Sequence, residues 1–112
     1  MTRPEAQSLS QEQVMTLARE VIASDRFPQL ATCDEGQPRV RPVSPVRTDG
    51  FTVYVANLRS YHKTREIAAN PRVELCYLSD AHNQVRISGI AEIVQEQPLL
   101  AEIWAENPAT EL

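Results

Sequence analysis

The sequence predicts a mainly β fold with flanking helices, arranged as a small antiparallel barrel. Short apolar or alternating runs recur between turn signals from Phe27 to Val94. An apolar stripe of helical period precedes those runs, and another follows them. One short helical stretch interrupts the strands, whereas a doubly wound α/β sheet needs a helix after nearly every strand. The expected order is helix, three strands, short helix, two strands, helix.

Residues 1–9 read as a flexible polar arm, and residues 10–112 as a single domain, since 112 residues suit one core. Ser10 and Gln13 have capping-box spacing. Val14, Leu17, Ala18, Val21 and Ile22 then form one helical stripe, expected to face the core. Pro28 stops this helix, which should end near Asp25. Phe27 to Cys33 reads as a strand, closed by the turn Asp34-Glu35-Gly36. From Pro38 to Arg47 the residues alternate: Val40, Pro42 and Val46 point one way and Arg39, Arg41 and Arg47 the other. Pro42 and Pro45 donate no ladder hydrogen bond, so this run belongs at an edge or carries a bulge. Thr48-Asp49-Gly50 is a hairpin turn into a strand from Phe51 to Ala56. A short helix follows, ending at Asn70-Pro71. Val73–Leu78 and Gln84–Val94 are the last strands, with Val85 and Ile87 on one face and Gln84, Arg86 and Ser88 on the other. Pro98 opens a final helix carrying Leu99, Leu100, Ile103 and Trp104.

Charge and cysteine content narrow the function classes. A net charge of −4 argues against general nucleic-acid binding. Residues 39–72 nevertheless hold seven cations against Asp49 and Glu66, a local balance of +5 that leaves −9 for the rest. A basic middle in an acidic chain suits a discrete anion, or a solvated surface. No apolar run reaches membrane-spanning length, and the first residues lack a secretory signal's apolar stretch. A cytoplasmic location is expected. Cys33 and Cys76 fall in strand-like runs without CxxC or Cys/His spacing, which argues for reduced core thiols and against zinc.

The segment from Val55 to Ile67 carries the most chemistry. It runs strand, polar loop, helix, and a helix N-terminus offers unpaired amides and the positive dipole end to an anion. Ser60 adds a hydroxyl, Lys63 an ammonium, and Arg41 on the neighbouring strand could reach the same point. The same residues also suit a plain N-cap beside a surface lysine. No Ser-His-Asp or paired-carboxylate arrangement supports hydrolysis.

At these residues the sequence resembles the pyridoxamine-phosphate-oxidase-like FMN-binding split-barrel superfamily. Ala56-Asn57, Ser60 with Lys63, and Asn70-Pro71-Arg72-Val73 follow its order of strand end, loop, helix and next strand. RVRPVSPV matches its arginine-bearing strand and NQVRISGIAEIV its later strand. The resemblance implies a split β-barrel, FMN as cofactor, and a homodimer with FMN in the inter-subunit cleft. It implies that Arg41, Ser60 and Lys63 hold the phosphate, and that Pro42, Val43, Ser44, Val55, Ala56 and Asn57 lie along the flavin. Gln84 would hydrogen-bond the ring's polar edge. Three departures qualify it. Tyr61-His62 lengthens the Ser-to-Lys spacing by one residue, with His62 in place of an arginine. Pro45-Val46 replaces the lysine of true pyridoxamine phosphate oxidases. No segment matches the oxidases' substrate-binding C-terminus or the final strand of shorter relatives, so an open barrel edge is expected. Vitamin B6 oxidation is therefore not expected. The implied function is an FMN-dependent oxidoreductase of the general stress protein type, acting on an unidentified small molecule with no catalytic residue named. The alternatives are a non-catalytic flavin-binding or sensing module, and a relative that takes a deazaflavin or haem.

Overall fold

The computed structural model describes residues 8–56, 62–94 and 97–106. Helix α1 spans Gln11–Ser24, as local chemistry dictates. Ser10 Oγ accepts from the Gln13 amide, and Gln13 Oε1 accepts from the Ser10 amide, completing the capping box. Asp25 ends the helix, and its side chain accepts from the amides of Phe27 and Leu78, tying the helix end to a later strand.

The strands are β1 (Gln29–Asp34), β2 (Gln37–Pro42), β3 (Pro45–Asp49), β4 (Thr52–Val55), β5 (Arg72–Leu78) and β6 (Gln84–Ile90). Helix α2 (His62–Ala69) lies between β4 and β5, and α3 (Gln97–Glu106) follows β6. One antiparallel sheet has the order β2-β1-β5-β6, and β3 and β4 form a separate hairpin. The barrel is thus not closed. Mainly antiparallel strands, flanking helices and an open seam make it a split barrel.

The run expected as one strand from Pro38 to Arg47 is two. The prolines are the cause: neither Pro42 nor Pro45 can donate to a ladder, and the chain breaks between them. Val43 turns into the core there, its amide donating to the Pro28 carbonyl at 2.9 Å. Both expected signs of the prolines are present. β2 is an edge strand, and β3 shifts register between Pro45 and Arg47, so the alternation does not carry through to Val46. Gly50, at φ +61°, takes the left-handed position of the β3–β4 turn. β6 ends at Ile90, short of Val94. Its partner β5 starts at Arg72, and the Ala91 amide donates to the Pro71 carbonyl as the last rung.

Register sorts the large sheet into two faces. Arg41, Leu30, Leu75 and Ile87 lie in one cross-strand row and share the inner face with Thr32, Tyr77 and Val85. Val21, Leu30, Val43, Leu75 and Tyr77 form the buried core, and Val53 and Val55 of the hairpin pack against it. Val40, Cys76, Leu78, Gln84 and Ile90 occupy the outer face.

Two further expectations are corrected. Val14 and Leu17 of the α1 stripe are about half exposed, at 49% and 47%, because only the last turns of the helix seat on the core through Val21 and Ile22. Cys33 and Cys76 are free thiols, but half-buried ones on the outer face and not core residues.

Candidate phosphate site between β2 and α2

Arg41 is the hub. Alternation along β2 places its side chain on the inner face, opposite Leu30, where an unpaired guanidinium would be costly. Its Nη2 donates to Glu66 Oε2 at 2.7 Å and to Thr32 Oγ1 at 2.9 Å. Thr32 Oγ1 in turn donates to the same Glu66 oxygen at 2.5 Å. Glu66 is 7% exposed and Thr32 is buried, so β1, β2 and α2 meet at one shielded, charge-assisted triad. The Thr32 hydroxyl holds the Glu66 carboxyl below its ordinary value against burial, which pushes it up; the charge of Arg41 adds to the lowering.

Half of the guanidinium is left over. Arg41 Nη1 is buried and has no hydrogen-bond partner among the described residues. A buried charged donor without an acceptor is an unmet cost, and an anion oxygen is the group that meets it.

The hairpin brings more of the expected site together. Pro45 pairs with Val55, so Ser44 and Ala56 sit side by side at its open end. Pro42, Ser44 and Ala56 are exposed, Val55 is half-buried and Val43 points inward. Beyond Ala56 the chain leads to α2, and Lys63 occupies its second position. Asn57 and Ser60 lie outside the described residues, as do the side chains of His62 and Lys63. Gln84 is exposed on the outer face of β6. Three strand spacings, roughly 14 Å, and the thickness of the sheet separate it from Arg41. A single subunit does not bring those two together.

Glu66 and Thr32 escaped the sequence reading. Thr32 carried a faint signal, a polar residue two positions from the inward Leu30. Glu66 carried none, because its role depends on an arginine 25 positions away. The basic middle is also less free than its charge suggests. Arg39 lies 3.8 Å from Asp34, and Arg47 bonds Asp49 and Glu102 at 2.8 and 3.0 Å while stacking on Tyr54. Tyr54 is thereby packed under Arg47. The side chains of Ile103 and Trp104 lie outside the described residues.

Comparison with known proteins agrees with this fold. The pyridoxamine 5′-phosphate oxidase family matches residues 8–110. General stress protein 26 of Bacillus subtilis is 27% identical over 103 residues, covering 88% of this chain and 73% of that protein. General stress protein 26 of Bacillus anthracis superposes with a TM-score of 0.71 at 22% identity, over 81% of this chain and 70% of the other. A haem-binding protein from Mycobacterium smegmatis gives 0.70 at 22% identity, over 97% of this chain and 45% of the other. An F420 reductase gives 0.66 at 21% identity, over 83% and 75% respectively. At these identities the structural likeness shows the fold. Among the described residues, no helix is long and apolar enough to cross a membrane.

Proposed function

Because this chain belongs to the pyridoxamine 5′-phosphate oxidase family, we propose that it binds FMN and grips it chiefly by the phosphate. The observation that carries the reading is the buried Nη1 of Arg41, unpartnered among the described residues, on a guanidinium already anchored by Glu66 and Thr32. Such an arginine is oriented before the ligand arrives, so little side-chain freedom is lost on binding. Lys63, in the first turn of α2, and Ser60, two residues before that helix in sequence, are the partners proposed to complete the phosphate grip. Ser44 and Ala56, with Pro42, Val43 and Val55 beside them, are proposed to border the flavin, as is Asn57, next in sequence.

Gln84 enters this reading through a second copy of the chain. A homodimer would lay the outer sheet face against its partner and form a cleft to which Gln84 contributes. Bound FMN would supply electron-transfer chemistry, and the protein would supply orientation and hydrogen bonds. An oxidoreductase acting on a small molecule in the cytoplasm is the activity proposed, with a non-catalytic flavin carrier as its rival. Similarity to an F420 reductase and to a haem-binding protein favours a second reading, in which the cleft takes a deazaflavin or haem.

The test compares FMN with riboflavin, which lacks only the phosphate. Wild-type protein is expected to retain FMN through gel filtration, with a flavin absorption spectrum, and to bind riboflavin far more weakly. Lys63→Ala should erase most of that preference, a loss of roughly ten- to a hundredfold in FMN affinity. Arg41→Ala is the poorer probe, since it also strips Glu66 of its partner. Equal affinity for FMN and riboflavin in the wild type would refute the phosphate grip, and a haem or F420 spectrum would move the reading to those cofactors.

A further inference from the structure

We propose that a second cleft, walled by the end of α1, β3 and Tyr77, is a binding site for a small organic monocarboxylate. The cleft has a volume of about 460 Å3, within the span of roughly 300–1,000 Å3 typical of small-molecule sites. Arg41 and Gln84 do not line it, and Ser44, proposed to border the flavin, is the residue it shares with that site.

Its walls are rich in donors. Arg19 and Arg26 come from α1 and the residues just after it, and Ser44 and Thr48 from the hairpin side. Arg26 makes no ion pair among the described residues, while Arg19 lies over the Phe51 ring at 5.8 Å. Tyr77 adds an unmet donor to these walls. It is 1% exposed, forms part of the cleft wall, and its hydroxyl has no hydrogen-bond partner among the described residues. An orphaned phenol in the core costs stability unless a ligand accepts from it. Burial, and then the nearby Asp25 carboxylate, push its pKa up, so it stays a donor at neutral pH.

The charge balance selects the ligand class. Asp25 is the one acid in the wall among the described residues, and its oxygens already accept from the amides of Phe27 and Leu78. Two guanidinium groups against one carboxylate leave a single positive charge, which matches a carboxylate monoanion better than a phosphate dianion. Ile22, Ala23 and Pro45 supply apolar wall for the body of the ligand. The carboxylate would take hydrogen bonds from a guanidinium and from the Tyr77 hydroxyl.

Benzoate is the probe, titrated into the full chain by calorimetry with and without saturating FMN. Saturable binding is expected in both cases. Tyr77→Phe and Arg26→Ala should each weaken it by about fivefold or more. Tyr77→Phe should keep or raise the melting temperature of the ligand-free protein, since it removes an unsatisfied group. Arg26 is exposed, so Arg26→Ala tests the site even if the tyrosine variant folds poorly. Absence of saturable benzoate binding would overturn the proposal, as would binding unaffected by both substitutions. Displacement of benzoate by equimolar inorganic phosphate would overturn the monocarboxylate assignment.

Discussion

A guanidinium on the inner face of a sheet needs an acceptor, and Glu66 supplies one for Arg41. Removing one member of such a pair leaves the other buried and uncompensated, which costs more than the intact pair contributes. The folded-state pKa of Glu66 is depressed, chiefly by the Thr32 hydroxyl and then by Arg41. The stability this provides is present above the unfolded-state pKa and is lost as pH falls through the folded one. Glu66→Gln is therefore expected to cost about 2 kcal/mol near neutral pH. Urea midpoints of wild type and variant should converge as the pH is lowered through the acidic carboxylate range. A gap that stays constant with pH would mean that the Glu66 charge contributes nothing.

The helices and strands owe their limits to short stretches of chain. α1 shows how little tertiary support an element can need at one end. Val14 and Leu17 are about half exposed, so the first turns lean on the Ser10–Gln13 box. Ser10→Ala should lower stability by about 1 kcal/mol, measured as a shift in urea midpoint at unchanged slope. No shift would show that the first turn is frayed in solution and adds nothing. At the other end Asp25 bonds the Leu78 amide at 2.8 Å, so the helix stop also clamps β5. The break between β2 and β3 has a consequence for the site. It turns Val43 into the core and leaves Ser44 beside Ala56, next to the chain that enters α2.

Across the whole molecule, the outer face of the large sheet carries more apolar surface than a solvated face needs. Val40, Leu78 and Ile90 are 64%, 52% and 66% exposed, and Cys33 and Cys76 lie half-buried on the same face. Val40 and Ile90 lie on the two edge strands, β2 and β6, where exposed apolar side chains and open edges suit a partner. With a homodimer proposed here, wild-type protein should sediment as a dimer. Val40→Glu combined with Ile90→Glu should shift it toward monomer and weaken FMN retention, with far-ultraviolet circular dichroism unchanged. A wild-type monomer that still retains FMN would place the whole cofactor site within one chain and remove Gln84 from it.

The features legible without tertiary contacts lie within a turn or two of chain. The α1 cap, the Asp25 stop, the Gly50 turn, the end of α2 before Asn70-Pro71 and the proline disruption after β2 each follow from local hydrogen-bonding capacity and allowed backbone angles. The family was legible too, because strand-end, loop and Asn-Pro-Arg-Val signals recur in fixed order. Long-range choices were not. Pairing order decided that Arg41 faces inward, and packing of α2 on β1 brought Glu66 and Thr32 to it. Packing of α1 and β3 around β5 assigned Tyr77 to a cleft wall, with its hydroxyl unmet among the described residues. These outcomes depend on residues far apart in the chain meeting at one point, and the energy of that meeting is written in no single segment.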